Sequence, residues 1–272
     1  MDNSVQAAFE SALDWWDAVG VETPPLPAAK PKARAAKSTA SHKASQGLAQ
    51  NAGQRTQSRG VKPPAVSDKD RMATAQKLAA AAKDLGALKT AMASFDAGTL
   101  SDNATQCVFS RGTPRARLMI LGEAPGREED IAGEPFTGRT GKFLDRMLAS
   151  IGLTDTDFYI TNIVNWHPPG GRKPTEEEID MCRPLLMKHI ELAAPNVILM
   201  AGGVTLAAMT DLNGIMKNRG DWQTLNINGR DIPALPIYHP SFLLRRPELK
   251  KEVWRDLLSL HERLAQTDKP ET

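Results

Sequence analysis

The chain has 272 residues, and its 34 lysines and arginines nearly balance 32 aspartates and glutamates, which leaves a formal net charge of only +2. Hydrophobic residues make up 41% of the chain, below the globular norm, so we expect part of it to lie outside a packed core. No apolar run reaches the roughly 18 residues of a membrane span, so a membrane protein is not expected. The two cysteines, Cys107 and Cys182, fit a reducing cytoplasm and are too few for a four-cysteine metal site.

The N-terminal region differs in composition from the rest of the chain. Residues 1–23 contain a short predicted helix, and they have neither the basic start nor the apolar stretch of a secretory signal. Residues 24–68 are rich in Ala, Ser, Pro and Gln, and up to residue 67 they hold eight lysines and arginines and no acid. Because so little apolar surface is available, we predict a disordered, flexible basic linker. It is either a solvated tether or a tail that holds DNA loosely through its phosphates.

Residues 69–272 have the pattern of a folded domain. A helical stretch over residues 69–95 is followed by apolar strands that alternate with helices, with strands predicted at 118–122, 158–164, 196–202 and 235–239. A hairpin that turns at Asn228–Gly229 precedes the last strand. The alternation predicts a three-layer α/β/α domain with a central, mostly parallel four-stranded sheet. Ligands bind beyond the carboxyl ends of such strands, so the residues that follow each strand are the candidates for a site.

Polar or aromatic residues follow three of these strands. Glu123 lies on the GEAPG turn after the first strand, and Phe136 follows in a glycine-rich loop. Asn162 ends the second strand and His239 ends the last. Separately, each of these features is more often structural than functional. Their joint occurrence in this order is far more specific.

Four segments carry this pattern: GEAPGREED (122–130), PFTGRTGKFL (135–144), TNIVNWHPPGGR (161–172) and HPSFLLR (239–245). Through them the chain resembles the uracil-DNA glycosylase superfamily over residues 88–265, and in particular its family 4 branch. The resemblance implies a base-excision-repair hydrolase that flips uracil out of DNA and hydrolyses its N-glycosidic bond, leaving an abasic site. Uracil-containing DNA is then the partner. We expect a monomer in a bacterial cytoplasm, associated with the nucleoid through DNA.

The resemblance implies that three residues bind the base. The Asn162 amide pairs with uracil O4 and N3–H, a pattern that cytosine does not offer. Phe136 stacks on the flipped ring. Glu129 crowds C5, where thymine carries a methyl group.

Three further residues are implied in the chemistry. His239 donates to uracil O2 as negative charge develops there, a contribution of roughly 3–4 kcal/mol for a buried oxyanion donor. Glu123 and the Ala124 backbone position the attacking water. Family 1 enzymes carry an aspartate at the position of Ala124, so Glu123 is the candidate to replace that acid, either as a base or by ordering the loop.

A further group of residues is expected to contact the DNA strand. Apolar side chains fill the gap that the flipped base leaves, and arginines bind the flanking phosphates. The candidates are Ser241, Leu243, Leu244, Arg245, Arg246, Arg139 and Arg172.

The sequence departs from the family at its iron–sulfur cluster. Family 4 enzymes hold a [4Fe–4S] cluster on four cysteines, and here Cys182 alone matches the pattern. Trp166 takes the position sixteen residues earlier, and the N-terminal pair falls in AGTL (97–100). One ligand cannot hold a cluster, so we expect no cofactor and an apolar filling of its space. A zinc site formed by Cys182, His167 and His189 is a remote alternative.

Two other functions remain as alternatives. A specialised or non-catalytic member of the family would bind uracil-containing or abasic DNA and release it slowly. This alternative remains because Ala124 stands where family 1 enzymes have an aspartate and because the cluster cysteines are missing. A nucleotide-binding α/β module could use the GEAPG turn for phosphate, although the chain lacks the Lys-Ser/Thr of a P-loop.

Overall fold

The computed structural model describes residues 67–267, apart from the side chain of Thr267. The predicted N-terminal helix and nearly all of the predicted linker lie outside these residues. Within them, no helix is long and apolar enough to cross a membrane. The first helix, α1 (Asp68–Ala81), is capped by Ser67, whose hydroxyl accepts a hydrogen bond from the Asp70 N–H at 3.2 Å. The helix thus begins one residue before the predicted domain boundary at residue 69.

A six-stranded sheet forms the centre of the described domain, in the order β1–β3–β2–β4–β6–β5. The strands are β1 (Arg111–Gly112), β2 (Leu118–Gly122), β3 (Phe158–Asn162), β4 (Val197–Ala201), β5 (Gln223–Ile227) and β6 (Arg230–Ile237). Strands β3, β2, β4 and β6 are parallel, and the two edge strands are antiparallel. The predicted four-stranded sheet is therefore the parallel centre of a larger one. β1 has two residues and no apolar pattern, which is why the sequence did not reveal it.

Helices cover both faces of the sheet. They are α2 (Leu85–Ala93), α3 (Thr99–Asn103), α4 (Arg127–Ala132), α5 (Arg139–Ala149), α6 (Glu176–Ala193), α7 (Gly203–Met209), α8 (Ile215–Asn218), α9 (Pro240–Arg245) and α10 (Lys250–Thr267). The helix predicted over residues 69–95 is in fact two, α1 and α2. Asp84 separates them, because its carboxylate accepts the Ala87 N–H at 2.8 Å and so caps a new helix.

The alternation of side chains along β2 assigns the two layers. Met119 and Leu121 join one core cluster with buried residues of α1, α2 and α6. Leu118 and Ile120, which point to the opposite face, are also fully buried. Buried apolar residues of α5 and α10 lie outside the first cluster and cover that second face. The predicted three-layer α/β/α class is confirmed.

The strand order creates a crevice at one end of the sheet. From β2 the chain forms β3 on one side and then crosses to form β4 on the other, so the loops after these strands diverge. Such a switch point is the usual ligand site of an open parallel sheet. Gly122 and Asn162, the last residues of β2 and β3, lie opposite each other at this edge.

Candidate active site

A small cavity of about 170 Å³ lies beyond the carboxyl ends of β2, β3 and β6. It is smaller than the roughly 300–1,000 Å³ of a drug-sized ligand site, which suits a single ring better than a whole nucleotide. The structure brings five of the six predicted base-binding and catalytic residues to its wall, and only Glu123 lies outside it. The lining residues are Ala124, Gly126, Glu129, Phe136, Thr140, Asn162 and His239.

Asn162 presents an uncommitted amide to this cavity. Its side chain is 2% exposed, and none of the residues that the structure describes hydrogen-bonds to it. Nearby Asn165 is different, because its amide donates to Val108 O at 2.8 Å and to Phe109 O at 3.2 Å. A buried amide is costly without partners, so the donor and acceptor of Asn162 favour a polar ligand in the cavity.

Gly122 keeps the cavity open. A Cβ at this position would overlap the Asn162 Oδ1 and come within 2.6 Å of the Phe136 ring. Any larger residue at position 122 would therefore displace Asn162 and Phe136, the two side chains that line the cavity here.

Phe136 is held in a left-handed backbone conformation, with φ at 57°. This is uncommon for a bulky residue and is sustained here by close packing. Gly141 packs directly against the Phe136 backbone, and a Cβ there would overlap the Phe136 carbonyl. The ring centroids of Phe136 and His239 are 5.8 Å apart, so the aromatic wall stands next to the histidine. The PFxGxxG spacing thus has a steric basis.

The carboxylate of Glu129 is anchored at the start of α5. Its Oε1 accepts the N–H of Gly138, the N-cap residue of α5, at 3.0 Å. Asp130, the next residue, is 5% exposed, and its carboxylate accepts the Thr105 N–H at 2.9 Å and the Thr105 hydroxyl at 2.7 Å. Asp130 therefore secures α4 to the rest of the domain while Glu129 faces the cavity.

His239 has a defined tautomer. The backbone N–H of Ser241, which can only donate, points to His239 Nδ1 at 3.2 Å, and the Ser241 hydroxyl lies 2.8 Å from the same nitrogen. Nδ1 is therefore the acceptor, and the proton of the neutral ring resides on Nε2. No residue in the described range hydrogen-bonds Nε2, which leaves this N–H free to donate to a ligand.

The environment keeps His239 neutral. Burial lowers its pKa to about 4, and the positive charges of Arg245 and Lys173 act in the same direction. At neutral pH the ring is thus an uncharged hydrogen-bond donor. Its Nε2–H can donate to a ligand oxygen on which negative charge develops.

The cavity opens onto a groove of about 990 Å³. Three residues, Ala124, Gly126 and His239, line both the cavity and the groove. Glu123 lies on the groove side of this opening and is half-buried. Burial raises the pKa of its carboxyl above the ordinary value, and Lys173 opposes that shift. His167, whose Nδ1–H donates to the Pro125 carbonyl at 2.7 Å, ties the GEAPG turn to the PPG loop.

The groove is positively charged. Arg127, Arg172, Lys173 and Arg245 line it, with Glu123 as the acidic side chain among the lining residues. Such a surface suits the phosphate backbone of a nucleic acid.

The predicted DNA contacts are not equally placed. Arg245 and Ser241 line the groove, although Ser241 is engaged with His239. The Arg172 guanidinium is held by Glu178, with Nη1 and Nη2 at 2.8 and 2.7 Å from its carboxylate oxygens. The other two arginines are outside the groove: Arg246 pairs with Glu248 at 2.7 Å, and Arg139 is exposed at the start of α5.

The two leucines of the predicted wedge point in different directions. Leu243 is 1% exposed and packs inward, whereas Leu244 is partly exposed. The α9 helix explains the difference, because neighbouring residues on a helix lie about 100° apart. Of the two leucines, Leu244 is therefore the better candidate for the side chain that enters the DNA stack. Leu243 instead packs α9 against the core.

The residues at the family's cluster positions form an apolar core. Ala97, Leu100, Trp166 and Cys182 are all buried in one hydrophobic cluster, and the Phe95 and Trp166 rings are 5.9 Å apart. Only Cys182 carries a sulfur, and burial raises the pKa of its thiol well above the ordinary value. A [4Fe–4S] cluster needs several thiolates, so these residues do not fit one.

The zinc alternative finds no support in the geometry. Among residues 67–267, no group of three or more His, Cys, Asp or Glu side chains could hold a metal ion. His189 is buried against Phe109, with its Nε2 2.9 Å from the Tyr159 hydroxyl, while His167 bonds the Pro125 carbonyl.

Two residues near the site are not among the site residues predicted from the sequence. Asp130 is only one position of a motif there, and its buried bonds to Thr105 have no signal in the sequence. Lys173 is not among the predicted contacts, although its place beside Arg172 in the PPGGRKP loop is a signal for a groove contact.

Comparison with known proteins agrees with this geometry. Residues 109–258 match the family model of the uracil DNA glycosylase superfamily. The Type-4 uracil-DNA glycosylase of Archaeoglobus fulgidus is 38% identical over 163 residues, which cover 58% of this chain and 82% of that protein. The corresponding Thermotoga maritima protein is 38% identical over 162 residues, covering 57% of this chain and 81% of that protein.

A second branch is more distant. The Type-5 uracil-DNA glycosylase of Pyrobaculum aerophilum is 26% identical over 145 residues, covering 48% of this chain and 63% of that protein. The region that matches the family model contains the parallel sheet and all four motif segments around the cavity. The chain belongs to the uracil-DNA glycosylase superfamily.

Proposed function

We propose that the protein is a DNA repair glycosylase that flips uracil out of DNA and hydrolyses its N-glycosidic bond. The observation that carries this function is the 170 Å³ cavity, in which an unpaired Asn162 amide, the Phe136 ring and the Nε2–H of His239 face one ligand volume. The names of the Type-4 relatives, at 38% identity, support the same reaction.

Base recognition depends on Asn162, Phe136 and Glu129. The amide donates to uracil O4 and accepts N3–H, and cytosine, with a donor at position 4, cannot form this pair. Phe136 stacks on the ring, and Glu129, anchored by Gly138, leaves little room for a methyl group at C5.

Bond cleavage places negative charge on uracil N1 and O2. His239, neutral and protonated on Nε2, donates to O2 as that charge develops. Glu123 and the Ala124 backbone hold the water that attacks the sugar. Arg245 binds backbone phosphate, and Leu244 fills the space that the flipped nucleotide leaves.

The same proposal covers cofactor, assembly and location. The protein works without an iron–sulfur cluster, because the apolar group around Trp166 occupies the cluster positions. It acts as a monomer in the bacterial cytoplasm and meets the nucleoid through DNA. The glycosylase domain begins at α1 and contains all four motif segments.

A base-release assay tests the reaction. Duplexes carrying uracil, thymine, hypoxanthine or an abasic site are incubated with the full chain, and free base is measured. Release of uracil but not thymine is expected. Tight binding of uracil or abasic duplexes without release would instead support the non-catalytic alternative, which the alanine at position 124 favours.

A further inference from the structure

Two adjacent basic residues in the PPGGRKP loop have different surroundings. The guanidinium of Arg172 forms two hydrogen bonds to Glu178 and a third, at 2.9 Å, to the Lys173 carbonyl. Glu178 is buried and also accepts the Thr175 N–H at 2.9 Å, completing the capping box of α6. Arg172 is therefore committed to the start of that helix.

Lys173 is free of such a commitment. Its side chain is exposed, and none of residues 67–267 forms an ion pair with it. Arg172 has an extended backbone, with φ at −69° and ψ at 168°, and Lys173 is confined to extended conformations because Pro174 follows. Successive side chains of an extended chain point to opposite sides, so Lys173 diverges from the Arg172–Glu178 pair.

Both residues line the groove, but of the two only Arg172 is paired with a carboxylate. Lys173 shares the groove wall with Glu123 and His239, and its charge lowers the pKa of both residues. Arg245 acts on His239 from α9, across the same opening. A free ammonium group at the mouth of a base-sized cavity is placed to meet the phosphate of the nucleotide that enters it.

We propose that Lys173, and not Arg172, binds the DNA phosphate next to the flipped uridine. This inference rests on the proposed function, since it assumes that the cavity receives a base from DNA. Lys173 is then a substrate-binding residue, whereas Arg172 stabilises the loop on which Lys173 is carried.

The test measures DNA binding separately from catalysis. Affinity for a duplex with one uncleavable abasic-site analogue is recorded against salt for the full chain and for Lys173→Ala, Lys173→Arg and Arg172→Ala. Lys77→Ala removes one exposed charge on α1, away from the groove, and is the matched control. Thermal unfolding of each variant reports on structure.

We expect Lys173→Ala to weaken binding by roughly three- to tenfold. The salt slope, which is the slope of the logarithm of the binding constant against the logarithm of salt concentration, should fall in magnitude by about one, the value for a single neutralised phosphate. The melting temperature of Lys173→Ala should stay unchanged, and Lys173→Arg should keep the wild-type salt slope. The proposal is wrong if Lys173→Ala matches Lys77→Ala, if it melts at a lower temperature, or if Arg172→Ala reduces the slope instead. Wild-type protein that binds DNA with the expected slope but releases no uracil would overturn the proposed function alone.

Discussion

The backbone N–H of Ser241 donates to Nδ1 of His239, which places the proton of the neutral imidazole on Nε2. The hydrogen bond comes from the main chain of α9, two residues after the histidine. It therefore does not depend on the Ser241 hydroxyl, and the backbone of the turn sets which ring nitrogen donates toward the cavity.

This relationship predicts unequal effects at the two positions. We expect His239→Ala to lower the single-turnover rate of uracil release by roughly 10²–10³, by analogy with other oxyanion donors. Ser241→Ala keeps the backbone donor and should cost less than about tenfold. A gel shift on the same duplex should show near-normal affinity for both. A rate loss below about fivefold for His239→Ala, or a parallel collapse in binding, would show that His239 holds the loop and does not act on the leaving group.

Asn162→Asp should relax the choice of base. A carboxyl group offers a different donor pattern to the pyrimidine edge, so uracil release should slow and cytosine release should become detectable. Release of each base from matched single-site duplexes checks this. The control is Asn165→Asp, which alters the buried bonds to Val108 and Phe109 and should lower stability without admitting cytosine. An Asn162→Asp enzyme with full uracil activity would rule out Asn162 as the reader.

The pH dependence of single-turnover uracil release follows from two opposite shifts. Burial raises the pKa of Glu123 above its ordinary 4.5, whereas the pKa of His239 is lowered to about 4. Because the two shifts have opposite signs, the pKa of His239 lies below that of Glu123. If ionised Glu123 orders the water, the rate falls on acidification with a midpoint above 4.5, and Glu123→Gln removes this limb. A midpoint near 6.5 that persists in Glu123→Gln would point to a histidine instead.

The apolar group at the cluster positions should matter for stability and exclude iron. Trp166 is 3% exposed, and Trp166→Ala should cost about 3–5 kcal/mol of unfolding free energy, with Trp166→Phe costing less. Anaerobically purified wild-type protein should be colourless and free of iron. Stoichiometric iron with a broad visible absorbance would contradict the proposed absence of a cluster.

Deletion of residues 24–67 tests the role of the basic segment. It removes eight lysines and arginines and no predicted core residue, so uracil excision should remain largely intact. Non-specific DNA affinity should weaken, and its salt slope should become shallower by about one for each phosphate that the segment neutralises. An unchanged slope and affinity would mean that the segment is a passive tether.

Much of the site could be predicted because it follows strand ends. Asn162 and His239 stand at or just past the carboxyl ends of β3 and β6, and parallel strands bring such residues to one edge. The family and the layered α/β fold were predicted correctly, and the family is confirmed by the match over residues 109–258.

Other features depended on tertiary partners that the sequence does not display. Arg172 and Lys173 are neighbours of equal charge, and only the buried Glu178 distinguishes them. Leu243 and Leu244 are identical residues whose exposure is decided by how α9 rests on the core. The edge strand β1 is too short to show a periodic pattern.

The residues that line the small cavity are spread from Ala124 to His239 along the chain. They lie at or beyond the ends of three strands, β2, β3 and β6. No single hairpin or helix can form the cavity, so it exists only once the long-range parallel pairing is complete. A small molecule that binds in this cavity therefore binds only the folded sheet. At a free concentration one hundred times its dissociation constant, it stabilises the folded state against unfolding by about 2.7 kcal/mol. Occupancy of this cavity reports on the integrity of the whole domain.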